Sequence, residues 1–142
     1  MARVGKFLHH SEVVGTQAVT TGFSTSVKHD HTLVSPNRGS NGHYFGIVNG
    51  IEILLTAATS ATTVTVRLCK DALGDVVIVP DVTATLVGGV STPATKSAVF
   101  RVDMPIRQDL APTPNNTLYL FVKVDNDTSN PIFTGSQIVW QE

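Results

Sequence analysis

Three segments of the sequence alternate between apolar and polar residues with a period of two: residues 62–70, 98–104 and 117–125. In the last of them Leu118, Leu120, Val122 and Val124 fall on one side of an extended chain. Tyr119 is on the opposite side. This period is typical of strands that bury one face. Because β-branched residues are frequent in all three segments, we predict three antiparallel strands here.

Weaker patterns predict further strands between and around these three. Asn49–Gly50 is a two-residue signal for a type I′ hairpin turn, Pro80–Asp81 joins two short apolar runs, and Gly135 is expected to form a bulge in the last strand. The remaining strand candidates are residues 19–27, 43–48, 51–56, 76–79, 82–87 and 132–140. Turn signals recur at a spacing of about 8–12 residues, as in sandwiches and barrels. We therefore predict an all-β fold, an antiparallel two-sheet β-sandwich that is jelly-roll-like and has about eight strands.

The chain has 142 residues, which is the size of one domain. We expect residues 16–142 to form a single β-sandwich domain, preceded by an N-terminal arm, residues 1–15. This arm lacks the apolar run of a secretory signal, and an extended arm can add to the edge of a neighbouring sheet. The residues expected to contact a partner are Arg3, Lys6, Phe7 and Leu8. A long loop, residues 29–42, is expected to be a second contact element.

The charge of the chain excludes some classes of partner. Ten basic and eleven acidic residues give a formal net charge of -1, and charged residues make up 15% of the chain, against about 25% in an average protein. This balance provides no electrostatic footprint for nucleic acid or for an anionic membrane. Val and Thr, 20 and 18 residues respectively, dominate the composition instead. A surface so poor in charge favours association with other proteins over a dispersed monomer.

The residue types that carry chemistry are few. His29 and His31 flank Asp30 and are the candidates for a metal site, since two imidazoles on one side of an extended chain can bind zinc or copper. The sequence shows no second ligand cluster at a suitable spacing, and the alternative is a polar segment whose histidines bind backbone groups or water. We expect no metal and no cofactor. Cys69 is the only cysteine, and we expect it to be a small apolar filler.

No enzymatic activity is expected. The sequence has no Gly-x-Ser-x-Gly nucleophile elbow and no glycine loop of the kind that holds phosphate. Aromatic residues offer a possible glycan platform, for which the candidates are Tyr44, Phe45, Tyr119 and Phe121. The alternative is that a loop or a neighbouring subunit covers this second face of the strand.

Three segments resemble a known family. Residues 66–75 (VRLCKDALGD), 78–86 (IVPDVTATL) and 117–125 (TLYLFVKVD) are similar to small β-sandwich capsid decoration (cement) proteins of tailed bacteriophages. The resemblance covers about the second half of the chain. It implies a structural virion protein that binds the outer capsid surface at capsomer junctions and stabilises the shell.

The same resemblance implies where the protein acts and with what. The expected partners are the major capsid protein and further copies of this chain, with a homotrimer expected because capsid junctions commonly have local threefold symmetry. The expected location is the capsid exterior of the virion, after synthesis in the host cytoplasm. The alternative function is a receptor- or glycan-binding β-sandwich module of a phage fibre or spike.

Overall fold

A computed structural model describes residues 8–23, 27–32, 46–88, 95–101, 104–106 and 117–141. These residues form ten strands and, within the described ranges, no helix. The strands are β1 (Leu8–Ala18), β2 (Val27–Thr32), β3 (Gly46–Thr56), β4 (Thr63–Cys69), β5 (Val77–Thr85), β6 (Val87–Gly88), β7 (Lys96–Phe100), β8 (Met104–Ile106), β9 (Thr117–Val124) and β10 (Ile132–Gln141). Eight of them are five residues or longer, so the predicted all-β fold with about eight strands is confirmed.

The strands form two antiparallel sheets. The large sheet has the order β1-β10-β3-β7-β6, with β8 also paired to β3, and the small sheet has the order β2-β9-β4-β5. Four of the hydrogen-bonded pairs, β1–β10, β2–β9, β3–β7 and β4–β5, join the first half of the chain to the second. These four pairs are the successive pairs of one long antiparallel hairpin, which folds over so that its pairs are divided between the two sheets. This is the topology of a jelly roll. The predicted jelly-roll-like sandwich is confirmed.

The core lies between the two sheets and follows the predicted alternation. The inward side chains of β4 and β9 are buried, and Ile51, Ile53 and Leu55 of β3 are fully buried opposite them. The largest side chains of the core are Trp140, Phe100 and Phe133. Alternate strand positions therefore supply one contiguous apolar layer.

The predicted hairpin at Asn49–Gly50 is wrong, because both residues lie inside the continuous strand β3. The register against β10 pairs Val48 with Trp140 and Gly50 with Val139, so Asn49 is an extra residue in a bulge. Gly50 does not have a positive φ, which a type I′ turn requires. A Cβ at Gly50 would lie 3.3 Å from the carbonyl oxygen of Phe100, so glycine permits the close approach of β7.

Three other boundaries differ from the prediction. Residues 76–79 and 82–87 are largely one strand, β5, in which Pro80 and Asp81 form a bulge opposite Arg67. β5 is an edge strand, where a proline removes no ladder hydrogen bond. Residues 98–104 are divided between β7 and β8, which both pair with β3. Residues 19–27 are not one strand, since β1 ends at Ala18 and β2 begins at Val27.

The bulge expected at Gly135 is present in β10. Phe133 pairs with Leu55 and Gly135 pairs with Leu54, which leaves Thr134 as the extra residue. The Thr134 hydroxyl donates a hydrogen bond of 3.2 Å to the carbonyl oxygen of Leu54. The bulge places both Thr134 and Gly135 between the inward residues Phe133 and Ser136.

The N-terminal part of the chain contributes a strand to the sandwich. β1 begins at Leu8, pairs with β10 from Gln141 to Ile132, and ends at Ala18. It therefore crosses the expected boundary between an arm, residues 1–15, and the sandwich. The expected loop, residues 29–42, likewise begins inside β2, and its residues from 33 onward lie outside the described ranges.

Loops at one end of the sandwich are tied together by side chains. The Asp125 carboxylate accepts hydrogen bonds from the amides of Thr62 (2.9 Å) and Thr63 (3.0 Å) and from the Thr62 hydroxyl. The Ser60 hydroxyl donates to Ser129 at 2.8 Å, and Lys96 donates to the carbonyl oxygens of Thr59 and Ala61. The Asp125 and Ser129 bonds fix the β3–β4 connection against the β9–β10 connection, and the Lys96 bonds fix it against β7.

One buried polar pair joins the two sheets. His31 on β2 is fully buried, and its Nε2 lies 2.7 Å from the Ser136 hydroxyl on β10. Both residues face the core, since Ser136 is 4% exposed. A buried polar group without a partner is costly, so this pair fixes β2 relative to β10.

We predict that Ser136→Ala lowers the free energy of unfolding by about 1–3 kcal/mol, because the buried imidazole loses a hydrogen-bond partner. Chemical denaturation measures this change. The matched control is Ser97→Ala on the outer side of β7, which is expected to cost less than about 0.5 kcal/mol. Equal losses in the two variants would contradict the proposed role of the pair.

We predict that Asp125 contributes stability that is lost in acid. Desolvation, the largest single effect, raises its pKa, but the hydrogen bonds from the Thr62 hydroxyl and the amides of Thr63 and Thr62 together lower the pKa from 3.8 to about 2. A folded-state pKa below the unfolded value stabilises the fold above pH 4, and this contribution disappears as the pH falls from 4 towards 2.

Asp125→Asn tests this contribution. Because the carboxylate is exposed and screened by solvent, we expect a loss of only about 1 kcal/mol at pH 7. The stability of the variant should also fall less steeply than that of the native chain between pH 4 and pH 2, as measured by thermal unfolding at each pH. The control is Asp127→Asn in the same loop. An unchanged acid slope in Asp125→Asn would refute the assignment.

Candidate interaction surfaces

The outer face of the small sheet carries an aromatic ring with two cations. The guanidinium of Arg67 and the ammonium of Lys123 each lie 4.5 Å from the centroid of the Phe23 ring, which is within the range of cation–π attraction. Arg67 also forms a two-pronged ion pair with Asp81, with distances of 2.6 Å from Nε and 3.1 Å from Nη2. The hydrogen bond to Asp81 raises the pKa of Arg67. This surface is thus held in one arrangement by its own contacts.

Two of the four aromatic residues predicted to bind glycans lie on this face. Tyr119 is half-buried and Phe121 is 8% exposed, because the β4–β5 connection covers the Phe121 ring at Gly74. For Phe121 the alternative interpretation therefore applies, since a loop covers this side of the strand. Tyr44 and Phe45 lie outside the described residues, and glycan binding stays a prediction.

The β4–β5 connection is a rigid tip with exposed aliphatic side chains. The Asp71 carboxylate accepts hydrogen bonds from the amides of Val76 (2.7 Å) and Asp75 (3.1 Å), and the bond from Val76 is the main reason that the pKa of Asp71 is lowered. Gly74 turns the chain with a φ of 82°, a conformation that glycine adopts without strain. We call Leu73, Val76 and Val77 the hairpin tip; Leu73 is 84% exposed.

The outer face of the large sheet is the second surface that carries exposed aliphatic residues. Its side chains come from alternate positions of β1, β10, β3 and β7, the positions that face away from the core. We call this surface the outer large-sheet face, and it is formed by Glu12, Val14, Glu52, Leu54, Val99, Arg101, Gln137 and Val139 together with Gly50 and Gly135. Val14 is 78% and Val99 64% exposed. Its exposed aliphatic side chains make this face a candidate contact surface.

Two shallow depressions interrupt this face. One, of about 250 Å³, lies over Gly135 between Val14 and Leu54. The other, of about 410 Å³, lies over Gly50 between Val99, Arg101 and Val139. Each depression exists because a glycine, Gly135 or Gly50, has no side chain, whereas the neighbouring residues on the adjacent strands do. Each depression is open to the outside of the sheet.

The predicted contact and metal residues are placed as follows. Leu8 is the first residue of β1 and pairs with Gln141, whereas Arg3, Lys6 and Phe7 lie outside the described residues. His29 and His31 occupy alternate positions of β2 opposite Leu120 and Leu118, and His31 is committed to Ser136. Among the residues that the structure describes, no three His, Cys, Asp or Glu side chains are grouped as a metal site.

Cys69 is buried, as expected for an apolar filler. Burial raises the pKa of its thiol to about 11, against the opposing effect of Arg67. A thiol with this pKa is almost entirely protonated at neutral pH and is a poor nucleophile. Within the described ranges there is no helix long and apolar enough to cross a membrane.

Sequence reasoning missed Phe23 and the outer large-sheet face. The alternation in residues 98–104 did place Val99 and Arg101 on the side opposite Phe100, and this was the available signal for the face. Leu54 follows Glu52 by two residues, so a period of two places it on the polar side, but the signal is weak because Leu54 and Leu55 are both apolar. Phe23 is in a turn, whose approach to the small sheet depends on the complete fold.

No protein-family model and no curated protein sequence matches the chain. Among solved structures, the chain is similar to the Tobacco streak virus coat protein, with 9% identity and a TM-score of 0.37 over 95% of this chain and 86% of that one. It is also similar to a chain of Tomato aspermy virus, with 13% identity and a TM-score of 0.37 over 100% of this chain and 80% of that one. A chain of the T13 IBDV viral particle matches with 10% identity and a TM-score of 0.38 over 95% of this chain and 31% of that one. All three are distant similarities.

We predict that Gly74→Ala destabilises the fold by about 1–2 kcal/mol. Its φ of 82° is unfavourable for any residue with a Cβ, and the added carbon would lie 3.2 Å from the Phe121 ring. Gly88→Ala is the matched control, since a Cβ there meets nothing within 4 Å. Thermal or chemical unfolding of both variants measures the difference. If Gly88→Ala cost as much as Gly74→Ala, the hairpin tip would not be held as described.

Proposed function

We propose that the chain is a structural virion protein: a capsid decoration or cement protein that binds the outer capsid surface at capsomer junctions. The observation that carries this proposal is the set of aliphatic side chains held outward on a rigid sandwich, above all Leu73 of the hairpin tip, which is 84% exposed. An exposed leucine gains free energy when a partner buries it, by about 1.5–3 kcal/mol for complete burial.

The backbone of the hairpin tip is fixed before any partner is bound. Asp71 holds the amides of Asp75 and Val76, and the amide of Gly74 donates to the carbonyl oxygen of Asp71 at 3.2 Å. Binding by such a tip loses little conformational entropy, because its conformation is already ordered. Leu73 is therefore suited to insert into a pocket of a large, rigid partner such as a capsid shell.

A protein that binds the assembled shell, and not its separate parts, stabilises the shell by mass action. The proposed partner is the major capsid protein, at the exterior of the virion. Arg3, Lys6, Phe7 and Leu8 and the loop of residues 29–42 are proposed as further contacts. By analogy of fold alone, jelly rolls occur in capsid proteins and also in lectins. The burial of Phe121 favours decoration over the glycan-binding alternative.

Counting the copies of this chain in purified particles tests the proposal. Quantitative mass spectrometry of gradient-purified particles, scaled to the major capsid protein, is expected to give hundreds of copies per particle. A few copies per particle would indicate a tail, neck or fibre component instead. Absence of the chain from the particles would overturn the structural role.

We predict that Leu73→Glu lowers the number of copies on the particles at least tenfold, because a charge replaces the apolar side chain that a pocket must bury. Thr85→Glu is the control, since it adds the same charge at an exposed position of β5. Both variants should unfold at the temperature of the native chain. Equal retention of the two variants would show that the hairpin tip does not contact the shell.

A further inference from the structure

The two central strands of the outer large-sheet face carry a regular pattern of large residues and glycines. The register between β10 and β3 pairs Gly135 with Leu54, Gln137 with Glu52, and Val139 with Gly50. Every second position faces outward, so these pairs are three successive rows about 7 Å apart. In the first row the large residue is Leu54 on β3, and in the third row it is Val139 on β10.

We infer that this face binds the same face of a second copy of the chain, about a twofold axis that runs parallel to the strands between β10 and β3. Such an axis places β10 of one copy over β3 of its partner and keeps each row opposite itself. Leu54 of each copy then enters the depression over Gly135 of the other copy, and Val139 enters the depression over Gly50. A twofold interface must be self-complementary in this way.

The polar groups of the face decide the direction of the axis. In the inferred arrangement the middle row sets neutral Gln137 of one copy against Glu52 of the other, so no like charges are opposed in this row. An in-plane axis perpendicular to the strands would also fit side chains to depressions, but it would oppose Glu52 to Glu52 and Glu12 to Glu12. Like charges in direct opposition are unfavourable, so the parallel axis is selected.

Charges at the margin of the face support the same arrangement. Glu12 lies on β1 at one side of the face, and Arg101 follows β7 at the other side. The axis brings Glu12 of one copy near Arg101 of its partner, within reach of the arginine side chain. The Arg67–Asp81 ion pair lies on the other sheet and does not involve Glu12, Glu52 or Arg101.

The inferred dimer buries Leu54 and Val99, which the single chain exposes, and Val139, which the single chain leaves half-buried. Two sheets pack face to face about 10 Å apart with nearly aligned strands, and the parallel axis produces this alignment. The face is four strands wide, roughly 19 Å. The area that such a face can bury is small for a specific interface. We therefore expect a dissociation constant in the micromolar range. Dimerisation through this face does not require that a capsid be bound.

Sedimentation velocity of the purified full chain from 1 to 300 μM tests the inference. The expected result is a reversible shift from 15.1 kDa to a dimer of twice that mass. A chain that stays monomeric at 300 μM would overturn the inference, as would a threefold mass, which would instead agree with the trimer expected from the sequence. Neither result depends on particle binding, so failure of this inference and failure of the proposed function are distinguishable.

Variants locate the interface. Leu54→Glu is expected to raise the dissociation constant at least tenfold, because each dimer would bury two carboxylates in the depressions. Leu73→Glu is the control, since it makes the same change at the hairpin tip of the other sheet. Leu54 is already 40% exposed, so the variant should fold, and circular dichroism and thermal unfolding verify this. Dimerisation that survives Leu54→Glu, or that is lost equally in Leu73→Glu, would contradict the assigned face.

A charge reversal tests the direction of the axis. Glu12→Arg and Arg101→Glu each place like charges across the margin, and each is expected to weaken the dimer about fivefold. The double variant restores opposite charges and should recover the native dissociation constant within about twofold. If the effects of the two single variants simply added in the double variant, the two residues would not face each other.

Discussion

Antiparallel pairing between the first and second halves of the chain is the constraint on which the rest of the structure depends. The innermost pair, β4–β5, closes at the hairpin tip, and β3–β7, β2–β9 and β1–β10 follow outward along the chain. Successive pairs belong alternately to the small sheet and the large sheet. This alternation presses two apolar faces together into one core and leaves two faces outward. His31 and Ser136 tie the outermost pairs of the two sheets to each other.

Local pattern predicted those elements whose two sides differ in polarity. β4 and β9 have apolar inward positions and polar outward positions, so their alternation could be read directly. The Asn49–Gly50 signal failed because a local turn preference competes with pairing on both sides of β3, to β10 and to β7. That pairing involves residues far apart in sequence. The bulge at Gly135 was predictable, because an interrupted alternation marks it, whereas its pairing with Leu54 across the sheet was not.

The surfaces were less predictable than the fold. Whether an aliphatic residue faces the core or the solvent depends on register, and the run from Ile51 to Leu55 contains both kinds, with Ile53 fully buried and Leu54 40% exposed. The same holds for the depressions, since a glycine forms a depression only when its cross-strand neighbours carry side chains. Phe121 shows the converse: its outward position was predicted, but the β4–β5 connection covers it.

Both proposals rest on one physical feature, which is aliphatic side chains held outward by a backbone that is fixed in advance. On the outer large-sheet face these side chains alternate with glycines along β10 and β3. Intermolecular nuclear Overhauser contacts in a mixture of isotope-labelled and unlabelled chains test this most directly. In the inferred dimer we expect contacts from the Leu54 methyl groups of one copy to the Gly135 α-protons of the other, and from Val139 to Gly50. Absence of these contacts in the concentrated protein, or contacts from Leu73 in their place, would contradict it.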